Sequence, residues 1–166
     1  MIRALALAAL MTLAACGFTP VYGDRAAGTA GQSAAAALND IAIDIIPNAE
    51  GVALRNHLID RFYASGYPAS PRYRLSVAPI VQTRRDLDLT VDAESTARRL
   101  TLTADVKLID LQSGEAVLTR NMMAYASYNV LGSQFTTRVS EADAREAALS
   151  DLARQIETQI ALYFNR

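Results

Sequence analysis

A few side chains in this sequence have types and spacings that could do chemistry. Cys16 is the sole cysteine, and it directly follows Leu13-Ala14-Ala15. A single thiol placed behind an apolar run and two small residues is set up for acylation of its sulfur; the plainer reading is a free thiol. His57 is the sole histidine. It sits in a helical pattern within reach of Asp60, and the sequence offers no second ligand or nucleophile to make it a metal or catalytic group. Asp86, Asp88, Asp92 and Glu94 gather at one strand end and could hold calcium, although the EF-hand spacing and its central glycine are missing. Arg84-Arg85 and Arg98-Arg99 fall on the two arms of one expected hairpin, and Arg138 precedes the last helix. Such guanidinium groups bind anionic oxygens through paired, charge-assisted hydrogen bonds, or they pair across strands with the neighbouring aspartates. The sequence contains no G-x-G-x-x-G, Walker loop, G-x-S-x-G or H-E-x-x-H. No catalytic site is visible in it, and no cofactor is expected.

The segment before Cys16 is an address. Arg3 supplies a positive start, and an apolar run from Ala4 to Leu13 is broken only by Thr12. This is the layout of a secretory signal peptide. The run is too short for a membrane span, which needs about 20 residues. Leu-Ala-Ala-Cys resembles a bacterial lipobox, which implies cleavage before Cys16, a thioether-linked diacylglycerol on its sulfur and N-acylation with a fatty acid such as palmitate. Such a signal also implies an oxidising compartment, where a lone free thiol would be awkward. Two or more acyl chains anchor a protein stably. The resemblance also implies that Gly17, standing where an aspartate would retain the protein at the inner membrane, favours the outer membrane.

Removing residues 1–15 leaves 151 residues with 15 basic and 17 acidic side chains. That is one domain of ordinary size, and its weakly acidic balance excludes nucleic acid as a partner. Lys107 is the only lysine. Residues 16–37 are rich in Gly, Ala, Thr and Ser and read as a lipidated N-terminus and flexible tether, with a globular domain over 38–166.

The elements that must position these groups follow from periodicity. Ile41, Ile43 and Ile45 alternate as a strand that stops at Pro47-Asn48. Glu50 to Ser65 is a helix with Leu54, Leu58 and Phe62 on one stripe, ended by Gly66 and Pro68. Tyr73 to Val81 alternates, with Tyr73, Leu75, Val77 and Val81 on one side; Pro79 marks an edge or a bulge. The alternation resumes through Leu87, Leu89 and Val91, which suggests one long bent strand. Leu100, Leu102, Ala104, Val106 and Leu108 form the inner side of the next strand. A turn at Leu111 to Glu115, with Gly114 free to take positive φ, sends the chain back as Val117 to Val130. On that strand Met122, Ala124 and Tyr128 share one face, with Met123 and Tyr125 on a second face that is also expected to be partly covered. Ser140-Glu141-Ala142-Asp143 has capping-box spacing, so the last helix is expected to start at Ser140. It carries Leu149, Leu152, Ile156, Ile160 and Tyr163 inward, with Arg145, Glu146, Arg154 and Glu157 facing water. The order β-α-β-β-β-α predicts an α/β (α+β) two-layer sandwich: a four-stranded mixed sheet with two helices on one face.

Cys16-Gly17-Phe18-Thr19-Pro20-Val21-Tyr22-Gly23 resembles the mature N-terminus of the alphaproteobacterial form of LptE, the lipopolysaccharide-assembly lipoprotein, and the element order agrees over the whole chain. The resemblance implies a Gram-negative outer-membrane lipoprotein, lipid-anchored on the periplasmic side. It would act as plug and assembly partner of an LptD-type β-barrel in lipopolysaccharide transport, and not as an enzyme. Of the two basic positions tied to lipopolysaccharide in such proteins, one falls on Arg138. The other falls near Asp92, which reverses the charge, so Arg98-Arg99 or Arg84-Arg85 would have to supply it. Arg98 and Arg99 project to opposite faces of a strand, so at most one can join Arg138 in a patch for lipid A phosphate. Pairing of Arg138 with Glu141 is the plainer outcome. The competing class is a periplasm-facing lipoprotein that carries a lipid, or serves as accessory to an inner-membrane transporter; it should contain a cavity where a plug would be solid.

Overall fold

The computed structural model describes residues 34–63, 66–89, 95–130 and 132–165. Cys16, the signal segment, Asp92 and Glu94 lie outside them. Eight elements follow one another: α1 (Ala34–Asn39), β1 (Ile41–Ile43), α2 (Ala49–Phe62), β2 (Tyr73–Val77), β3 (Val81–Leu89), β4 (Ser95–Asp110), β5 (Ala116–Asn129) and α3 (Gln134–Phe164). Helix α1 straddles the expected boundary between tether and globular domain, and it buries Ala37 and Leu38.

β4 is the axis of the sheet. At 16 residues it is about 53 Å long at 3.3 Å per residue, and it is paired on both sides. β5 runs antiparallel along one side, from Ala97↔Asn129 to Ile109↔Ala116. On the other side β2 and β3 share the length, β2 against Val106 to Asp110 and β3 from Thr103 down to Ser95. β1 lies parallel beside β2, with Ile41 opposite Tyr73, as expected of strands joined by a helical crossover. The long bent strand expected from the sequence is thus β2 plus β3, interrupted at residues 78–80.

That interruption changes which way the side chains point. Val77 pairs with Val106 and Val81 with Thr103, so four steps on one strand answer three on the other. One extra residue is taken up as a bulge, where Pro79 has no N–H to give to a ladder. Ile80 is buried and Val81 exposed, which corrects the expectation that Val81 shares a face with Val77. Beyond the bulge, Gln82 and Arg84 lie opposite Leu102 and Leu100 on the inner face, and Arg85 lies opposite Arg99 on the outer one.

Both long helices pack on the inner face. Leu54, Leu58 and Phe62 of α2 and Leu149, Leu152, Ile156 and Ile160 of α3 are buried in one core with Leu100, Leu102, Ala104, Val106 and Leu108. Two devices fix the entry of α2. The Asn48 side chain accepts from the Gly51 amide (2.8 Å) and donates to the Ile80 carbonyl (3.0 Å), while its backbone takes φ 68°. Gly51 packs so closely on Ile46 that a Cβ there would lie 2.7 Å from its side chain. At the far end of α2, the Tyr63 hydroxyl donates to the Ile41 carbonyl (2.8 Å) and accepts from the Ile43 amide (3.2 Å), stitching the helix to β1. The hairpin turn holds Gly114 at φ 75° as its position requires.

α3 has its N-cap at Ser133, seven residues before the expected Ser140. Its 31 residues span about 46 Å, and the first buried residue is Ala144. The two leading turns therefore overhang the core, with Phe135 and Val139 in solvent. α3 runs from the β3–β4 end, where Glu141 meets Arg84, to the opposite end, where Phe164 packs edge-on against Tyr73. Chain entry at α1, the β4–β5 hairpin and the C-terminal turn of α3 share that opposite end. Among the described residues no helix is long and apolar enough to cross a membrane.

Candidate anion-binding face

Strand alternation sends the neighbours Arg84 and Arg85, and Arg98 and Arg99, to opposite faces, and the bulge decides which of Arg84 and Arg85 points inward. Arg84 and Arg98 point to the helix side and are consumed there. Arg84 Nε and Nη2 donate to one Glu141 oxygen (3.0 and 2.6 Å), and Arg145 donates to the same oxygen (2.9 Å). The Tyr128 hydroxyl reaches the other Glu141 oxygen at 3.4 Å, and Arg145 Nε also donates to Gln82 (3.2 Å). Burial alone would raise the Glu141 carboxyl; the hydrogen bond and charge of Arg84, then Arg145 and Tyr128, outweigh it and hold the group below the usual carboxylate range. Arg98 donates to Asp86 across the strands at 2.7 Å. This is the cross-strand pairing weighed against anion binding, realised at one of the four clustered carboxylates. Among the described residues no three carboxylate, histidine or cysteine side chains gather around one point.

Arg85 and Arg99 have the opposite environment. They are Cα partners on the outer face, both exposed, and neither makes an ion pair among the described residues. Arg99 lies over the Tyr125 ring, 5.6 Å from its centroid. Like charges directly opposite each other on a sheet are destabilising, and no carboxylate among the described residues offsets this pair. The surrounding face is open: Val81, Thr103 and Met123 form one cross-strand row, Thr83, Thr101 and Tyr125 the next. Tyr125 is 69% and Met123 55% exposed, which corrects the expectation that this second face is partly covered. The result is two unopposed guanidinium groups at one end of a row of exposed Tyr, Met, Val and Thr side chains. That arrangement suits a ligand with an anionic head and an apolar body.

Arg138 belongs to neither set. It lies on the exposed flank of the α3 overhang, inside the helix and past its first-turn amides, which belong to Gln134 to Thr136. Its expected partner Glu141 is occupied by Arg84 and Arg145 instead. Arg138 and Arg99 are not brought together, because α3 packs on the inner face and Arg99 points outward. Two further sequence readings change. His57 pairs with Glu146 (2.8 Å), not with Asp60. Glu157, expected in water, accepts from Arg61 at 3.0 Å with its side chain only 12% exposed. The partners here come from elements about 90 residues apart in the chain, which no local pattern indicates.

A mixed sheet with long antiparallel strands under two helices, with an open charged outer face, defines a small α+β module. Comparison with protein families identifies it further. The family model for lipopolysaccharide-assembly LptE matches residues 38–160, and the chain belongs to that family of lipoproteins. Its structure is similar to that of a minor lipoprotein from Acinetobacter baumannii at 26% identity and TM-score 0.59, covering 74% of this chain and 90% of the other. A lipoprotein from Caulobacter crescentus superposes with TM-score 0.61 at 18% identity, covering 80% and 96%. The rare lipoprotein B of Shewanella oneidensis gives 0.58 at 9% identity, covering 73% and 92%. The latter two likenesses are of fold. Comparison with curated protein sequences gave no match.

Proposed function

We propose that this protein is an outer-membrane lipoprotein, held by acylated Cys16, which serves as plug and assembly partner of an LptD-type β-barrel and contacts lipopolysaccharide during its transport. Membership of the lipopolysaccharide-assembly family supports the pathway; the N-terminal octapeptide supports the alphaproteobacterial form. The observation that carries the ligand contact is the unopposed Arg85–Arg99 pair. Phosphate on lipid A is a multiply charged anion, and two adjacent guanidinium groups relieve their mutual repulsion by sharing it. Acyl chains would then run along Tyr125, Met123 and Val81. Arg138, on the overhang, contributes separately, while Arg84 and Arg98 hold the fold. Close packing of the core favours a plug over a carrier: the groove of about 610 Å³ between β5 and α3 is superficial and mostly polar-lined.

The test compares lipopolysaccharide binding by the detergent-solubilised lipoprotein, wild type against Arg85→Asp and Arg84→Asp. Arg85→Asp should pair with Arg99, raise the unfolding temperature and weaken binding at least tenfold. Unchanged affinity in that stabilised variant would remove the site. Recovery of an LptD-type barrel with the tagged wild-type protein tests the partner independently.

A further inference from the structure

The ladder leaves one long edge open. Among the described residues β5 pairs with β4 on one side and with no strand on the other. Its alternation can be fixed from neighbouring bonds. The Asp105 carbonyl accepts from the Ala78 amide (3.0 Å), so Asp105 faces away from β5, and its partner Asn121 must direct its own N–H and C=O outward. Odd-numbered residues of β5 therefore present their backbone to the edge. Two of these carbonyls are capped by side chains, Thr119 by Arg120 (3.0 Å) and Met123 by Gln155 (3.2 Å). Asn121, Tyr125 and Ser127 have no such cap.

Exposed edges are normally blunted by proline, clustered charge, brevity or a bulge. β5 has 14 residues, no proline, and Arg120 as its only charge; its one register shift lies near its start, at Val117, away from residues 121–127. Beside it runs the groove of about 610 Å³, walled by α3 through Gln155, Thr158 and Gln159. Within that groove Arg154 is already paired with Asp151; Asp105, bonded by Asn121 at 2.7 Å, lies outside its lining. Arg120 is left as the unbalanced charge, so the groove suits an extended segment that is neutral or acidic.

We propose that the β5 edge receives an extended, neutral-to-acidic segment of the assembly partner as an added strand, hydrogen-bonded to Asn121, Tyr125 and Ser127 with an acidic side chain near Arg120. The identity of that partner rests on the reading above; the strand addition rests on the edge itself. Main-chain bonds supply affinity in this mode and side-chain pockets supply register.

The test is residue-resolved amide exchange on the full-length lipoprotein taken from its own outer membranes in mild detergent. It is measured first with its associated proteins and again after their removal. The amides of Asn121, Tyr125 and Ser127 should exchange at least tenfold more slowly in the assembled sample, whereas Met122 and Ala124, which bond to β4, should barely change. Equal rates at the three odd positions in both samples would overturn the proposal. Protection that survives separation together with a doubled mass would give the edge to a second copy and also overturn it. Mass spectrometry of the assembled sample decides the partner's identity separately, so absence of a barrel would remove that reading without altering the exchange result. Two variants complete the test. Ser127→Pro removes one outward N–H and no ladder bond, and Arg120→Glu leaves the backbone intact; each should reduce recovery of the partner at least fivefold with an unchanged unfolding temperature. Wild-type recovery of the partner by both would count against the proposal.

Discussion

Glu141 organises more of this molecule's charge than any other described residue, because Arg84, Arg145 and Tyr128 all converge on it. Its lowered pKa makes the stabilisation pH-dependent in a defined direction. In the unfolded chain a glutamate titrates near 4.3, and in the fold it titrates lower. The contribution is therefore present in full above that unfolded value and is lost as pH falls through the folded one. Glu141→Gln should cost about 1–2 kcal/mol at pH 7, in line with charged hydrogen bonds, and the difference from wild type should shrink in unfolding experiments taken below pH 4. At the other end of the chain, Cys16→Ser should abolish labelling by radioactive palmitate, since no second cysteine exists. Persistent labelling would sink the lipoprotein anchor. At this scale the sequence was informative about residue types and poor at pairings. The arginines of interest were visible, but Arg84 finds Glu141 from 57 residues away, and which of Arg84 and Arg85 does so depends on a bulge.

Among the elements, those whose side chains repeat with a fixed period were legible. Leu54, Leu58 and Phe62, the even residues of β4 from Leu100 to Leu108, and the Leu149, Leu152, Ile156 and Ile160 stripe all bury as their spacing indicates. Leu102→Ala or Ile156→Ala should each cost about 2–5 kcal/mol, against a negligible effect of Arg138→Ala on the overhang; a thermal shift equal to that control would disprove the inner face assigned here. The start of α3 was not legible. Phe135, Thr136, Thr137 and Val139 are poor helix formers and no apolar face of theirs meets the core, so periodicity begins to register near Ala144, while Ser140 and Asp143 imitate a cap. The entry of α2 was also hidden. Asn48→Gly should be milder than Asn48→Ala, because glycine relieves the positive φ although both lose the cap. Gly51→Ala, forced against Ile46, should destabilise despite alanine's better helix propensity. Denaturant unfolding of the three variants checks the order.

Taken whole, the molecule is a bar with two unlike ends. Chain entry, the β4–β5 hairpin and the last turn of α3 occupy one, and the β3–β4 connection with the α3 overhang occupies the other. β4, paired along both sides and covered by two helices, should hold the slowest-exchanging amides from Leu100 to Leu108. α1 and the first two turns of α3 should exchange fastest. The fold class and the parallel β1–β2 pairing were readable from element order alone, since a helical crossover leaves few alternatives. The open edge and the two-ended shape were not, because they depend on which strands lack neighbours.

The bulge at Pro79 keeps β3 in frame with the sheet. With the full-length sequence and an unbroken ladder, every residue of β3 would turn over, sending Arg85 inward and Arg84 out. Pro79 acts as an inserted codon, and the bulge as the suppressor that restores frame. Deleting codon 79 should therefore be nearly silent for orientation: Val77, Ala78, Ile80 and Val81 would alternate regularly, with Ile80 still buried and the two arginines unmoved. Deleting codon 83 instead would exchange their faces unless the bulge flattened to compensate. Loss of Thr83 together with Pro79 should then fail where loss of either alone can be tolerated.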